Sequence, residues 1–211
     1  MAVPTKTSLV TSSEDVRLAN LLGALTTGVT DGVHDAMCDA AKIDVVSASA
    51  LVALLDFSPG GLIQTLAEVV GLTHSGAVRL VDRLVLAGYV LRRQGQDGRS
   101  REITLTARGA TLARRVRRAR ERAIAQSLES FSAIERVRLS AFCERLISAL
   151  TRQRLEERAA GHAPTGGALC RTCDFAACGR DAQRCPAEQA AVQPPEPEGS
   201  SRQRRDHARG T

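Results

Sequence analysis

The sequence contains no tryptophan, one tyrosine and four phenylalanines in 211 residues. Any core it builds is therefore aliphatic, and at 43% hydrophobic residues there is enough apolar material for one domain of ordinary size with extras. Lysine is nearly absent, with only Lys6 and Lys42. The cations are arginines, a bias that GC-rich coding can produce by itself and that carries little weight here. Cations still exceed anions, giving a net charge of +6 and a pI near 9.4, a balance that favours an anionic partner. No apolar run reaches the ~18 residues that cross a bilayer, which excludes a membrane span. Met1 to Val10 lacks the apolar segment of a signal peptide. The expectation is a cytoplasmic protein with reduced thiols. No nucleophile–base pair, phosphate-binding glycine loop or carboxylate dyad stands in a recognisable context, so an enzyme is not expected.

The most informative stretch runs from Leu62 to Leu105. Leu62, Leu66 and Val69 recur at helical spacing and predict a short helix with one apolar face. Gly71 suits the left-handed position after its end. Thr73 can cap a second helix by accepting from the N–H of Ser75 or Gly76. In that helix Ala77, Leu80, Val81, Leu84 and Val85 form one stripe, while Ser75, Gly76, Arg79, Asp82 and Arg83 fall opposite. One face packs and the other is free to read. Two helices joined by so short a turn make a helix-turn-helix, whose second helix enters the major groove of DNA. Tyr89 to Arg93 and Arg101 to Leu105 are strand-capable runs joined by a turn-forming segment, Gln94 to Ser100. Arg92, Arg93, Arg99 and Arg101 make this hairpin cationic, which suits a minor groove. Asp97 can orient Arg99 before DNA arrives.

This stretch resembles the MarR family of winged-helix transcription regulators. The matching residues are Leu72-Thr73-His74-Ser75, Arg79-Leu80-Val81-Asp82-Arg83-Leu84, Gly88-Tyr89-Val90, Asp97-Gly98-Arg99-Ser100 and Leu105-Thr106-Ala107-Arg108-Gly109. The resemblance extends over roughly residues 14 to 155. It implies a homodimer on a palindromic double-stranded operator, usually repression, and often a small anionic effector, which nothing in the sequence identifies. The DNA-contacting candidates are Thr73, His74, Ser75, Gly76, Arg79, Arg83, Arg92, Arg93, Asp97, Arg99, Ser100 and Arg101. His74 reads equally well as a solvent-facing residue, and Arg83 as a phosphate clamp or a partner of Asp82.

Around the reader, the pattern predicts a mainly helical α+β chain with a small hairpin. Residues 1–12 form a polar arm and 13–41 an amphipathic dimerisation helix with Leu18, Leu22, Leu25, Val29 and Val33 on one side. Ser12 or Ser13 caps it, and Glu14 and Asp15 suit its dipole. His34 and Met37, near its end, read as surface or packing residues. Residues 42–106 form the winged unit, opened by a helix over Ile43 to Phe57 with Ile43, Val46, Ala50, Leu51 and Leu54 inward. Residues 107–158 hold two further dimerisation helices. The first carries a dense arginine face, read as solvated, with a phosphate- or acidic-partner-binding surface as the alternative; the second opens on the capping box Ser132-Ala133-Ile134-Glu135 and carries Val137, Phe142, Leu146, Ile147 and Leu150. Residues 159–169 read as a linker and 187–211 as a disordered tail.

Residues 170–186 depart from the family pattern. Cys170, Cys173, Cys178 and Cys185 are separated by two, four and six residues. Four thiols in so short a cytosolic segment match the all-thiolate demand of a closed zinc site. Zinc would also supply folding energy that the segment lacks, and Arg171, Arg180 and Arg184 would offset its charge. An iron–sulfur cluster and a metal-free thiol switch are the alternatives; either would make the protein a redox-sensing regulator. Cys38 and Cys143 lie inside predicted helices and read as buried packing residues. From another class altogether, the chain could be a protein-interaction module on a winged-helix scaffold that does not read DNA, a reading the basic hairpin argues against.

Overall fold

The computed structural model describes residues 12–94, 101–162 and 166–192. The expected N-terminal arm, the hairpin tip with Asp97, Arg99 and Ser100, and the segment beyond residue 192 lie outside them. Among these residues, seven α-helices and one two-stranded antiparallel sheet follow in the order α1 (Ser13–Ala41), α2 (Val45–Asp56), α3 (Ile63–Val70), α4 (His74–Leu86), β1 (Val90–Gln94), β2 (Arg101–Leu105), α5 (Ala107–Ser127), α6 (Ala133–Ala159) and α7 (Pro186–Val192). This is the expected mainly helical α+β class.

The helix starts follow the caps written in the sequence. Asp15 N–H donates to Ser12 Oγ (3.1 Å), and Ser12 N–H donates back to the Asp15 carboxylate (3.3 Å), a reciprocal box that holds the start of α1. Ser132 and Glu135 repeat the device at α6. Helix α2 begins at Val45 on an Asp44 cap, two residues later than the apolar pattern suggested. It is the central element because it consists almost wholly of Ala, Leu and Val; Ala48, Ala50, Leu51, Val52, Ala53 and Leu54 are all buried. Around it gather Met37 of α1, Leu66 and Val69 of α3, Leu80, Val81 and Leu84 of α4, Val90 and Ile103 of the sheet, and Leu112, Ala113 and Val116 of α5. The core is aliphatic, as the lack of aromatics requires.

Three inward assignments are corrected. Leu62 is the exposed N-cap of α3 and pairs with Glu102 as an isolated bridge. Val46 and Val85 also face outward. In each case the residue lies at or beyond an end of its helix stripe, where no neighbouring element covers it.

The long helices divide. Helix α5 packs against α1 and α2. Helix α6 has no buried residue, and its extensive packing partner within the chain is α7. Ile134, Val137, Phe142, Leu146 and Leu150 of α6 and Val16, Leu18, Leu21, Leu22 and Leu25 of α1 are exposed. Cys143, expected to be buried, is exposed with them, while Cys38 is half-buried and His34 is exposed. The tail boundary at 187 is also corrected: residues 186–192 are helical, and Ala190 is buried.

Candidate nucleic-acid interface

Helix α4 separates its two duties by face. Ala77, Leu80, Val81 and Leu84 are buried, while Thr73, His74, Ser75, Arg79, Asp82 and Arg83 are exposed and Gly76 is half-buried. Gly71 takes φ 75°, which turns the chain between α3 and α4. Thr73 then caps α4, with Gly76 N–H donating to its Oγ1 at 3.1 Å. Because that hydroxyl is occupied by the cap, Thr73 positions the helix as much as it offers a contact. His74 Nδ1 lies 3.0 Å from Gln64 Oε1 of α3, and Gln64 Nε2 donates to Glu68 (3.0 Å). The imidazole is thus held by the first helix of the motif. The sequence reading missed Gln64; its only advance signal was the Gln–Glu spacing of one helical turn.

The wing is anchored at both ends of its base. Strands β1 and β2 pair from Val90↔Leu105 to Gln94↔Arg101. Ile103 N–H donates to Gly61 O (3.0 Å), tying β2 to the segment before α3. Thr106 Oγ1 donates to Gly88 O (2.8 Å) and accepts from Gly109 N–H (2.9 Å), so one hydroxyl closes the hairpin and opens α5. A Cβ at Gly109 would lie 1.9 Å from Tyr89 O, which explains physically why Thr-x-x-Gly belongs at this corner. Arg108 stacks over the Tyr89 ring at 4.9 Å.

Arg92 has partners within the chain. Its Nη1 sits 2.6 Å from Asp82 Oδ1 and its Nη2 donates to Val78 O (3.4 Å), fastening β1 to α4. Asp82 therefore pairs with Arg92 rather than with Arg83, and both Arg83 and Arg93 are exposed. The β2 backbone carries Arg101; its side chain, like the residues Asp97, Arg99 and Ser100, lies outside the described part.

The four cysteines occupy a compact knob between α6 and α7, built from turns rather than regular structure. Cys173 N–H donates to Cys170 O (3.0 Å), Cys178 N–H to Asp174 O (3.0 Å), and Arg184 N–H to Gly179 O (2.9 Å). Cys185 is buried immediately before α7. The thiols act on one another. The hydrogen bond shared with Cys173 pushes the Cys170 thiol far up, with burial adding to it. The same bond, helped by the charge of Arg120 and opposed by burial, brings Cys173 down to about 6. Burial, then the charges of Cys185 and Cys173, push Cys178 up to about 11. Among the described residues, however, no three His, Cys, Asp or Glu side chains form a ready-made metal cage. The fold brings the four thiols into one neighbourhood without closing them on a point.

The supposed linker is also part of the framework. Ala168 N–H donates to Val69 O (2.8 Å), and a Cβ at Gly167 would come within 1.9 Å of that oxygen and 2.7 Å of Gly71 N. Residues 166–168 thus lie directly on the turn of the helix-turn-helix. The Gly166-Gly167 pair was the sequence signal for this close approach, hidden because a glycine pair also suits a linker.

No protein-family model and no curated protein matches the chain. Solved structures do. A MarR-family protein from Bacillus stearothermophilus aligns with a TM-score of 0.58 at 25% identity, covering 64% of this chain and 94% of that one. A Mycobacterium tuberculosis protein aligns at 0.52 and 27% identity, covering 73% and 98%. MepR, a transcription regulator of the Staphylococcus aureus multidrug efflux pump MepA, aligns at 0.55 and 16% identity, covering 63% and 97%. The chain has the winged-helix fold of the MarR-family regulators, covered nearly end to end by about two thirds of its length.

Proposed function

We propose that the protein is a sequence-specific transcription regulator that binds a palindromic double-stranded operator as a homodimer and represses by occupying it. One observation carries this reading: α4 buries its apolar half and exposes Ser75, Arg79 and Arg83 beside a wing fastened to it through Asp82 and Arg92. A rigid helix with a free polar face, flanked by a cationic hairpin, is the arrangement that reads a major groove while touching an adjacent one. Ser75 and Arg79 meet base edges, Arg83 and Arg93 meet phosphates, and Arg99 enters the minor groove. The exposed apolar faces of α1 and α6 supply the dimer contact. Cys170, Cys173, Cys178 and Cys185 form a zinc site within each subunit.

Selection from a random duplex pool tests the reading. The expected product is an inverted repeat whose half-sites lie one helical turn, about 34 Å, apart. On that duplex, Arg79→Ala costs about 1–3 kcal/mol and relaxes preference at one position in each half-site, whereas Arg93→Ala weakens all sequences alike and lowers the salt slope by about one. Arg99→Ala weakens binding without changing the oligomeric state. A pool that yields no enriched sequence, together with no salt-dependent duplex binding, would overturn the proposal.

A further inference from the structure

Helix α6 and the DNA-reading unit are joined in this chain by the cysteine knob. On the reader side, the knob is attached at three places. Ala168 and Gly167 rest on the helix-turn-helix turn at Val69 and Gly71. Asp174 Oδ2 lies 3.2 Å from Arg117 Nη2 of α5, and Arg117 also pairs with Asp56 at the end of α2. The Phe175 ring meets Phe57 edge-on at 5.7 Å, with Arg180 stacked on Phe175 at 4.3 Å. On the other side, Arg154 Nη1 of α6 donates to Gly167 O (2.6 Å), Ser148 Oγ donates to Pro186 O (3.3 Å), and α7 lies along α6. A cavity of about 270 Å³, lined by Phe57, Leu155, Ala168, Cys185 and Ala191 among others, separates knob and α6. The join is therefore a set of discrete contacts around a gap.

The knob has little of its own to hold that shape. It contains one aromatic, Phe175, no β-strand and a left-handed Gln183. Of its four cysteines only Cys185 is buried. Four thiol ligands with arginines alongside are suited to a thiophilic divalent cation such as zinc, which would supply the missing cross-link.

We propose that the knob is a metal-set brace: zinc held by Cys170, Cys173, Cys178 and Cys185 fixes the helix-turn-helix turn to α6, so that zinc occupancy sets how the two recognition helices of the dimer are spaced. The four sulfurs bind one zinc ion as thiolates, each thiol still protonated giving its proton to solvent, and leave a doubly negative centre that Arg120, Arg171, Arg180 and Arg184 surround in part. No oxidation is needed. The last clause rests on the DNA-reading function and the homodimer proposed above; the brace itself does not.

The test uses the full-length protein purified without air. Zinc is removed with a chelator and returned as zinc alone, or as cobalt(II), whose absorption reports thiolate ligation. Amide hydrogen exchange is then followed across residues 69–73 and 148–159. The expected result is one metal per chain, a thiolate–cobalt spectrum, and exchange in both segments slowed at least about tenfold by metal. Asp174→Asn with Phe175→Ala should still bind metal but lose the protection at 69–73, separating ligation from bracing. Failure to take up zinc or cobalt, or uptake that leaves both segments unchanged, would overturn the brace. Duplex affinity is measured on the same samples. A change of at least about fivefold between loaded and stripped protein supports the regulatory clause, and equal affinity overturns it. Absence of DNA binding in both states, with exchange still responding, overturns the DNA-reading function and leaves the brace standing.

Discussion

Single residues set the corners on which the reader is built. Asp44 caps α2, accepting from Ser47 N–H (2.9 Å) and Ser47 Oγ (2.7 Å). Burial alone would raise its carboxyl, but these hydrogen bonds from Ser47 outweigh burial and hold it below the usual carboxylate value. A group that is a stronger acid in the folded state stabilises that state above its unfolded pKa of about 3.9, and the contribution is lost as pH falls through the folded value. Asp44→Ala should therefore cost about 1–2 kcal/mol near neutral pH, with the buried Ser47 hydroxyl left unpaired. Urea unfolding should show the variant and parent curves converging in acid; a pH-independent gap would mean that the cap is not the cause. Gly109 is the second corner. Since its Cβ would meet the Tyr89 carbonyl oxygen, Gly109→Ala must push the hairpin away from α5, at about 1–3 kcal/mol. Thermal unfolding measures it, and a variant as stable as the parent would show that the corner relaxes freely.

At the scale of elements, the issue is whether the wing and recognition helix move as one piece. Asp82 and Arg92 link them, half exposed, so the pair contributes modestly to stability, within about 1 kcal/mol. Its effect on DNA binding has an instructive sign. Removing a carboxylate from the proposed DNA-facing surface should strengthen binding if simple charge dominates. If the pair holds the wing, Asp82→Ala should instead weaken operator binding about two- to fivefold, because the freed hairpin must be ordered on contact. Tighter binding by the variant would refute the bracing role. Elements of this kind were only partly legible in the sequence. The caps at Ser12, Thr73 and Ser132, the Gly71 turn and the two strands are local chemistry, and short-range patterns suffice to read them. The Asp82–Arg92 pair, the hold of Gln64 on His74 and the contact of Gly167 with the helix-turn-helix turn join residues far apart in the chain. No periodicity encodes such meetings. Leu62, Val46 and Val85 were misplaced for a related reason: the stripe gives a helix face but not where its covering neighbours stop. The cysteine spacing was legible as a cluster, while its position as the join between reader and α6 was not.

For the whole molecule, the decisive quantity is the apolar surface that one chain leaves open. Val137 is 71% exposed and Phe142 58%, on a helix with no buried residue. Leu18 and Leu25, at 63% and 56%, repeat the situation on α1. A long helix with an unpacked apolar side is unfavourable alone in water, and a second copy of the same chain offers a self-complementary solution. If the proposed homodimer forms through this patch, Phe142→Glu with Leu146→Glu should leave a monomer in sedimentation equilibrium, because two charges per chain would have to be desolvated there. The reading helix packs on the core around α2, to which α6 contributes no buried residue, so circular dichroism of the variant should keep its helical content. Operator affinity should nevertheless fall by a factor of about 10² or more, since the second half-site is no longer delivered by a tethered partner. A single half-site should be bound equally by variant and parent. That contrast isolates dimerisation from reading: equal loss on half-site and full site would place the damage in the reader, and unchanged binding to the full site would mean that the regulator works as a monomer.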